Sequence, residues 1–343
     1  MKEMMDAVVF ERYGAVRDVV KFGTAQKPHI KPDEVLIQSS AWGVNPIDIK
    51  RVTGAVKRAI PEKFPATLGY DVSGIVFEKG SQVQHIALGD EVFTALEQGL
   101  GSGAFAEYVA VPARAVALKP RNLTLQDAAV LGVVGLTAWQ AFREVFYVQP
   151  GHKILIHAGA GGVGTFAIQL AKHLGALVAT TCSEAKKPLM AALGADVIID
   201  YRKENFRTIV KEYDVALDTL GGQTLLDSLY CLRAGGTLIS VTGVPDNHFG
   251  KQHKLNPLVR TAIWMMNRPI YRLCKERGVE YRFLLKSSRG KDLQVVADLV
   301  ERGVVRPVID TVYPTQKILD ALEYVAAGHA TGKVVVSASG LGL

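Results

Sequence analysis

The 343-residue chain has no long hydrophobic run: its longest uncharged apolar stretch, Ala128 to Phe142, is 15 residues and contains Gly132 and Gly135. A helix needs roughly 18 to 20 apolar residues to cross a bilayer, so no membrane span is expected. Cysteine is scarce. Cys182, Cys231 and Cys274 lie 49 and 43 residues apart, a spacing that suits neither a disulfide framework nor the paired ligands of a zinc knuckle or ribbon. Near the start, Lys2, Glu3, Asp6, Glu11 and Arg12 leave no room for the apolar core of a signal peptide, and a cytoplasmic location is the expectation. Excess charge is small, +7 from 40 basic and 33 acidic residues. It favours anionic ligands such as phosphates without pointing to nucleic acid.

What is present is a globular composition, 48% apolar, 21% charged and 8% aromatic, in a length that suits two domains of about 150 residues each. Up to about residue 120, short runs rich in β-branched residues, among them Asp6–Phe10, Glu34–Ser40, Ser73–Phe77, Glu91–Ala95 and Glu107–Pro112, are closed by Gly, Pro, Asn or Asp. They predict an irregular, mostly antiparallel β domain. After Asn122, Thr124 with Asp127 predicts a helix start before Ala128–Phe142. Strands then alternate with helices: Lys153–His157, Leu177–Thr181, Val197–Asp200, Asp214–Asp218, Thr237–Val241 and Tyr281–Leu285, with Thr165–Leu174 and Lys187–Leu193 among the helices between them. Six such strands predict a doubly wound parallel sheet. Pro307–Val312, Thr315–Ala327 and Gly332–Val336 read as strand, helix and strand that return to the first domain.

The strongest motif follows the apolar strand Lys153–His157. Gly159, Gly161, Gly162, Val163 and Gly164 form a turn with full G-x-G-x-x-G spacing, and a helix comes directly behind it. The three spaced glycines serve a tight turn, a close approach of backbone to pyrophosphate, and close packing of helix on strand. The helix start offers unpaired N–H groups and a partial positive charge to the phosphates. In NAD-preferring proteins an acidic residue ends the second strand and binds the ribose 2′-hydroxyl. Here the strand ends at Ser183, and Glu184 lies one step into the loop before Lys186 and Lys187. The two lysines can meet a phosphate dianion, which favours NADP over NAD, or can be the solvated start of a helix.

Further motifs span nearly the whole chain: Asn45-Pro46-Ile47-Asp48, Gly69-Tyr70-Asp71-Val72-Ser73-Gly74, Gly103-Ala104-Phe105-Ala106-Glu107-Tyr108 and Gly135-Leu136-Thr137-Ala138. Leu193-Gly194-Ala195-Asp196, Ile199-Asp200-Tyr201 and Gly332-Lys333-Val334-Val335 complete the set. With the glycine turn, these resemble the medium-chain dehydrogenase/reductase superfamily, in its zinc-independent quinone oxidoreductase and enone reductase branch. The resemblance implies an α/β chain: a Rossmann doubly wound parallel sheet plus a GroES-like, mostly antiparallel β domain. The GroES-like domain would cover residues 1–125 and be completed by 305–343. The NADP-binding Rossmann domain would cover 126–304, with an insertion at about 245–278. By the same resemblance Lys186 and Tyr201 hold the 2′-phosphate of NADPH or NADP. Thr137, the Leu220-Gly221-Gly222 turn and the Thr242-Gly243-Val244 loop line the nicotinamide side, and Asn45 sits at the cofactor ribose and substrate mouth. Homodimers are common in the family, often through the sixth strand.

Relatives with catalytic zinc carry a cysteine where this chain has Asn45 and a His-Glu pair where it has Tyr70-Asp71; the four cysteines of their structural-zinc lobe would fall between Asp90 and Gly103, where none occurs. No metal is expected, and the eight histidines read as surface or packed residues. The chemistry implied is hydride transfer from NADPH to a quinone or to the β-carbon of an α,β-unsaturated carbonyl, with Asn45, Tyr70 and Lys50 as candidate donors to the developing oxyanion. Tyr70 also reads as a strand-end aromatic filling the domain junction. Many reductases of this branch carry a Gly-x-Tyr turn soon after the Asn-Pro stretch. This chain has Thr53-Gly54-Ala55-Val56 there, which leaves the proton donor open, solvent included. Pro245–Gly278 is strongly basic and predicts either a lid in which Trp264 and Met265 shape an apolar pocket, or, through 257–277, a weak peripheral membrane contact. A second class of function stays open: a dinucleotide-binding regulatory or RNA-associated protein with little turnover.

Overall fold

The computed structural model describes residues 3–58, 60–97 and 103–338. The chain divides into two compact units, one formed by Met1–Leu136 with Ser287–Leu343 and the other by Thr137–Lys286. Residues 98–102, in the stretch where zinc-binding relatives carry their structural-zinc lobe, and the outermost residues of the first domain lie outside the described residues.

The first unit is built on a seven-stranded sheet. Its main path runs Ile309–Pro314, Lys333–Ser337, Glu34–Val44, Asp71–Lys79, Glu91–Ala95, Ala117–Leu118, and Tyr108–Pro112 pairs separately with Glu34–Val44. All these pairings are antiparallel except that of Ile309–Pro314 with Lys333–Ser337. The last strand of the chain therefore inserts beside the long strand Glu34–Val44, with Val334 opposite Val44. A small sheet of Val20–Gln26, Met4–Phe10 and Ala66–Thr67 completes the unit. Its core gathers Phe10, Trp42, Leu68, Tyr70, Phe105 and Leu322, all buried.

Two boundaries differ from expectation, each for a local reason. Gly290–Glu301 forms a helix of the first unit, although the sequence placed it in the Rossmann domain. Arg121 clasps Glu301 with an N···O distance of 3.0 Å, and Asn122 donates to the Val300 carbonyl at 3.0 Å. The helix expected over Ala128–Phe142 is split into Leu125–Ala128 and Gly132–Gln140, followed by a π-helical turn over Ala141–Val145. Thr124 caps the first piece by accepting from the Asp127 N–H. The second starts where the buried Asp71 carboxylate accepts from the Val133 N–H at 2.7 Å, a carboxylate at a helix N-terminus being favourable.

The second unit is a six-stranded, all-parallel sheet in the order Val197–Asp200, Leu177–Cys182, Lys153–Ile156, Tyr213–Asp218, Leu232–Ser240, Glu280–Phe283. Chain order reverses on either side of Lys153–Ile156, which makes the end of that strand the switch point where doubly wound sheets bind ligands. The central strands Lys153–Ile156 and Tyr213–Asp218 are buried on both faces, as parallel sheets require. Within 245–278 the chain forms three helices, Asn247–Gln252, Pro257–Met266 and Arg268–Arg277. No helix among the described residues is long and apolar enough to cross a membrane.

Candidate dinucleotide site and buried polar cluster

At the switch point the chain leaves Ile156 through a tight turn and enters the helix Gly162–His173. Ala158 takes a left-handed conformation, φ 49°, which non-glycine residues adopt rarely and mostly where the surroundings enforce it. Its N–H donates to Thr181 Oγ1 at 3.2 Å, and the Gly159 N–H donates to the Thr181 carbonyl at 2.9 Å. The turn is thus sewn to the second strand.

The three spaced glycines are required for different reasons. A Cβ on Gly159 would run into Thr180 Oγ1 and come within 3.0 Å of Met190 Sδ. One on Gly164 would lie 2.6 Å from Gly159 Cα, a helix-on-strand clash. Gly161 is different: its Cβ would meet only the Ala158 carbonyl, at 3.3 Å, and its φ of −82° is open to any residue. Only that carbonyl, which would have to give by a few tenths of an ångström, stands near a side chain there, so the space beyond it fits an outside group pressed against the backbone. The helix's first intrahelical bond is Thr165 N–H to the Gly161 carbonyl, so the N–H groups of Gly162, Val163 and Gly164 look outward for acceptors. A pyrophosphate is suited to both features.

His157, at the base of this turn, is a packed histidine. Ser228 Oγ gives its proton to the Thr224 carbonyl at 2.6 Å, so it accepts from His157 Nε2–H at 2.8 Å and leaves Nδ1 to pair with Thr181 Oγ1 at 3.2 Å. Burial pushes its pKa down to about 4, with Asp218 opposing. Because the folded value lies below the unfolded one, the unfolded chain alone takes up the proton below about pH 6.5, and stability falls as pH drops from there to about 4. The full shift is worth about 3 kcal/mol. His157→Gln should therefore flatten the loss of melting temperature between pH 6.5 and 4, and an acid limb as steep as that of the parent would refute this assignment.

Beyond the fourth and fifth strands, two loops are tied to one buried carboxylate. Asp218 Oδ1 accepts from the Leu220 and Gly221 N–H groups at 3.1 and 2.9 Å, and Oδ2 accepts from Ser240 Oγ at 2.7 Å. Ser240 Oγ in turn accepts from the Gly243 N–H at 2.9 Å, while Tyr281 OH donates to the Val244 carbonyl at 2.7 Å. Gly221, at φ 74° and ψ −162°, holds a conformation open in practice only to glycine. The structure thus brings Leu220, Gly221, Thr242, Gly243 and Val244 together. Thr137 is buried in the helix Gly132–Gln140.

At the end of the second strand, Cys182 pairs in register with Asp200, so Ser183 and Tyr201 adjoin, and the Tyr201 N–H reaches the Cys182 carbonyl at 3.3 Å. Lys186 closes the short turn Glu184–Lys186 by donating its N–H to the Ser183 carbonyl. Lys187 is held between Glu184 and Glu204, at 3.6 and 3.5 Å, and meets competing carboxylates before any phosphate. Sequence reasoning missed Arg202, whose guanidinium lies 5.7 Å from the exposed Tyr201 ring.

The first unit holds a second polar centre. Lys333 Nζ donates to Asn45 Oδ1 at 2.6 Å, the Val44 carbonyl at 3.0 Å and Asp71 Oδ2 at 3.1 Å, which uses all three of its N–H groups in a buried position. Asn45 Nδ2 donates to Asp71 Oδ2 at 2.9 Å and the Gly43 carbonyl at 3.1 Å. Both amide N–H groups are spent, so this geometry does not supply the oxyanion donor expected of Asn45. The Asn45 backbone N–H goes to Asp48 Oδ2 at 2.8 Å. Burial pushes the Asp48 carboxyl up to about 7, against the pull of that hydrogen bond, Arg51 and Lys333.

Tyr70 is buried in the core beneath the Arg51 guanidinium, 5.1 Å from the ring centroid, and Arg51 is clasped at both ends by Glu62. Burial raises the Tyr70 pKa. It packs as a core aromatic. Lys50 lies half-buried on the helix Pro46–Val52. A catalytic zinc does not fit at this centre. The groups gathered around Asn45 and Asp71 include neither thiolate nor imidazole, and the Lys333 ammonium already neutralises Asp71.

Comparison with known proteins agrees with this layout. The model described as "Alcohol dehydrogenase GroES-like domain" matches residues 31–121, and that described as "Zinc-binding dehydrogenase" matches 193–336. The 2-methylene-furan-3-one reductase of Solanum lycopersicum is 36% identical, over 97% of this chain and 79% of its own. The NADPH-dependent alkenal/one oxidoreductase, chloroplastic, of Arabidopsis thaliana is also 36% identical over the same shares. The solved structure of the quinone oxidoreductase from Coxiella burnetii superposes with a TM-score of 0.85 at 31% identity, covering 97% of this chain and 99% of that one. With its glycine turn, its switch-point sheet and an ammonium where a catalytic metal would need ligands, the chain belongs to the medium-chain dehydrogenase/reductase superfamily, in the zinc-independent quinone oxidoreductase-like branch.

Proposed function

We propose that the chain is a zinc-independent, NADPH-dependent oxidoreductase acting on quinones or α,β-unsaturated carbonyl compounds. The observation that carries the reading is the space beside Gly161, which the fold leaves open next to three outward N–H groups. The activities for which the two plant relatives and the Coxiella burnetii protein are named support the acceptor class. NADPH, when bound, supplies a hydride to the electron-poor carbon of the acceptor.

The chain's residues bind and orient. Gly159, Gly161, Gly162, Val163 and Gly164 hold the pyrophosphate, and Ser183, Lys186, Tyr201 and Arg202 hold the 2′-phosphate, with Lys187 shaping the same corner. Thr137, the Leu220–Gly221 turn and the Thr242–Val244 loop border the nicotinamide, fixed in place by Asp218. Asn45 is locked by Lys333 and Tyr70 packs in the core, which leaves the half-buried Lys50 and solvent as the sources of the proton that completes reduction. A homodimer would form along Glu280–Phe283, the terminal strand of the parallel sheet.

Lys186→Ala should weaken NADPH by about tenfold, the worth of one charge-assisted contact, while leaving NADH nearly unchanged; equal losses for both coenzymes would remove Lys186 from the 2′-phosphate site. The reading itself is tested by NADPH consumption with a panel of small quinones and enones. Turnover supports it, and coenzyme binding without turnover across the panel favours a dinucleotide-binding regulatory or RNA-associated protein instead.

A further inference from the structure

The helix Pro257–Met266 has no buried residue. At 100° per residue, Met265, Leu258, Ala262, Met266 and Val259 follow one another around a single face. Leu258 is 80% exposed, Met266 63%, Met265 57% and Val259 48%. Contiguous apolar surface of this kind on a soluble chain marks an interaction site. The opposite side is the anchored one: Arg260 reaches Asn247 Oδ1 at 3.3 Å on the preceding helix, and the buried Asn267 donates to the Pro245 carbonyl at 2.6 Å. Trp264 and Met265 are both exposed.

Cations are concentrated on the elements that flank this helix. The preceding helix and the turn after it carry exposed Lys251 and Lys254, and the following helix exposes Arg268, Arg272 and Lys275. The one exposed acid among them, Glu276, is paired with Arg272 at 2.8 Å. Residues 245–278 contain seven basic and two acidic residues, so +5 of the chain's net +7 sits here.

We infer that this face is a docking surface for an anionic lipid bilayer, with Leu258, Val259, Met265 and Met266 entering the interfacial layer and the flanking lysines and arginines meeting lipid phosphates. The chemistry favours lipid over a protein partner. The one uncharged polar side chain within the helix, Thr261, spends its hydroxyl on the Pro257 carbonyl at 3.0 Å. A specific protein contact couples its apolar centre to directional hydrogen bonds, whereas a fluid bilayer asks only for apolar reach and positive charge.

The test is sedimentation of the full chain with vesicles of phosphatidylcholine alone and of phosphatidylcholine mixed with phosphatidylglycerol, at low and high salt. Binding should be confined to the anionic vesicles and weaken in salt. The double substitution Leu258→Asp with Met266→Asp, and separately Arg268→Glu with Lys275→Glu, should each lower the bound fraction at least about tenfold while leaving NADPH affinity and melting temperature unchanged. Equal binding to neutral vesicles, or none to either kind, overturns the inference. So does a light-scattering shift from dimer to monomer in the aspartate variant without vesicle binding, which would assign the face to a second copy. Capture of an acidic protein in place of vesicles would assign it to a protein partner and overturn it too.

Discussion

Replacing Gly161 by valine abolishes measurable NADPH binding while the protein without coenzyme melts within a few degrees of the parent. Its Cβ meets one backbone atom, the Ala158 carbonyl oxygen at 3.3 Å, at a backbone angle valine accepts. An isopropyl group there displaces the pyrophosphate from the N–H groups of Gly162 to Gly164. Losing two charge-assisted hydrogen bonds at about 1.5–3 kcal/mol each weakens binding at least about 100-fold. Gly159→Ala provides the contrast, because its Cβ meets Thr180 and Met190 inside the protein and should lower the melting temperature itself. Equilibrium titration of coenzyme fluorescence and thermal melts of both variants check this. Retained NADPH affinity in Gly161→Val would mean that the turn is no pyrophosphate seat.

Lys333→Met should strongly destabilise the first unit. It leaves the fully buried Asp71 carboxylate without its cation and Asn45 Oδ1 without its donor. Breaking a buried pair from one side costs about 3–5 kcal/mol, since the remaining charge stays buried and uncompensated; that is on the order of 10 °C in melting temperature. Adding Asp71→Asn to Lys333→Met should recover part of the loss, because the orphaned charge is then gone. A double-mutant cycle in chemical denaturation measures the coupling. Strict additivity of the two losses would show that Lys333 and Asp71 do not act as a pair.

The glycine turn between strand and helix was legible because its signal is local: strand, glycine spacing and helix follow one another within about twenty residues. The parallel sheet was legible for the same reason, as buried strands read as apolar runs at regular intervals. The polar cluster was not. Lys333 and Asn45 are 288 residues apart, and Lys333 and Asp71 are 262 apart, so only the return of the last strand beside Glu34–Val44 makes them neighbours. Without Lys333 in view, Asn45 reads as a free donor. Lys187 misled similarly, because one of its two carboxylate partners, Glu204, comes 17 residues later on the far side of a strand. The boundary near residue 305 was misplaced because the amphipathic pattern of Gly290–Glu301 does not say which unit it covers. Its packing on Ala113–Ala115 and Ala117–Leu118, far earlier in the chain, decides that.

Thermal melting of the intact chain with and without coenzyme is the most direct check on a pyridine nucleotide seated at Gly159–Gly164. A ligand that binds only the folded form at about 100 times its dissociation constant stabilises by about 2.7 kcal/mol, so NADPH should raise the melting temperature by several degrees and NADH by clearly less. A melting temperature that neither coenzyme moves would contradict the redox function and the residues assigned to it alike.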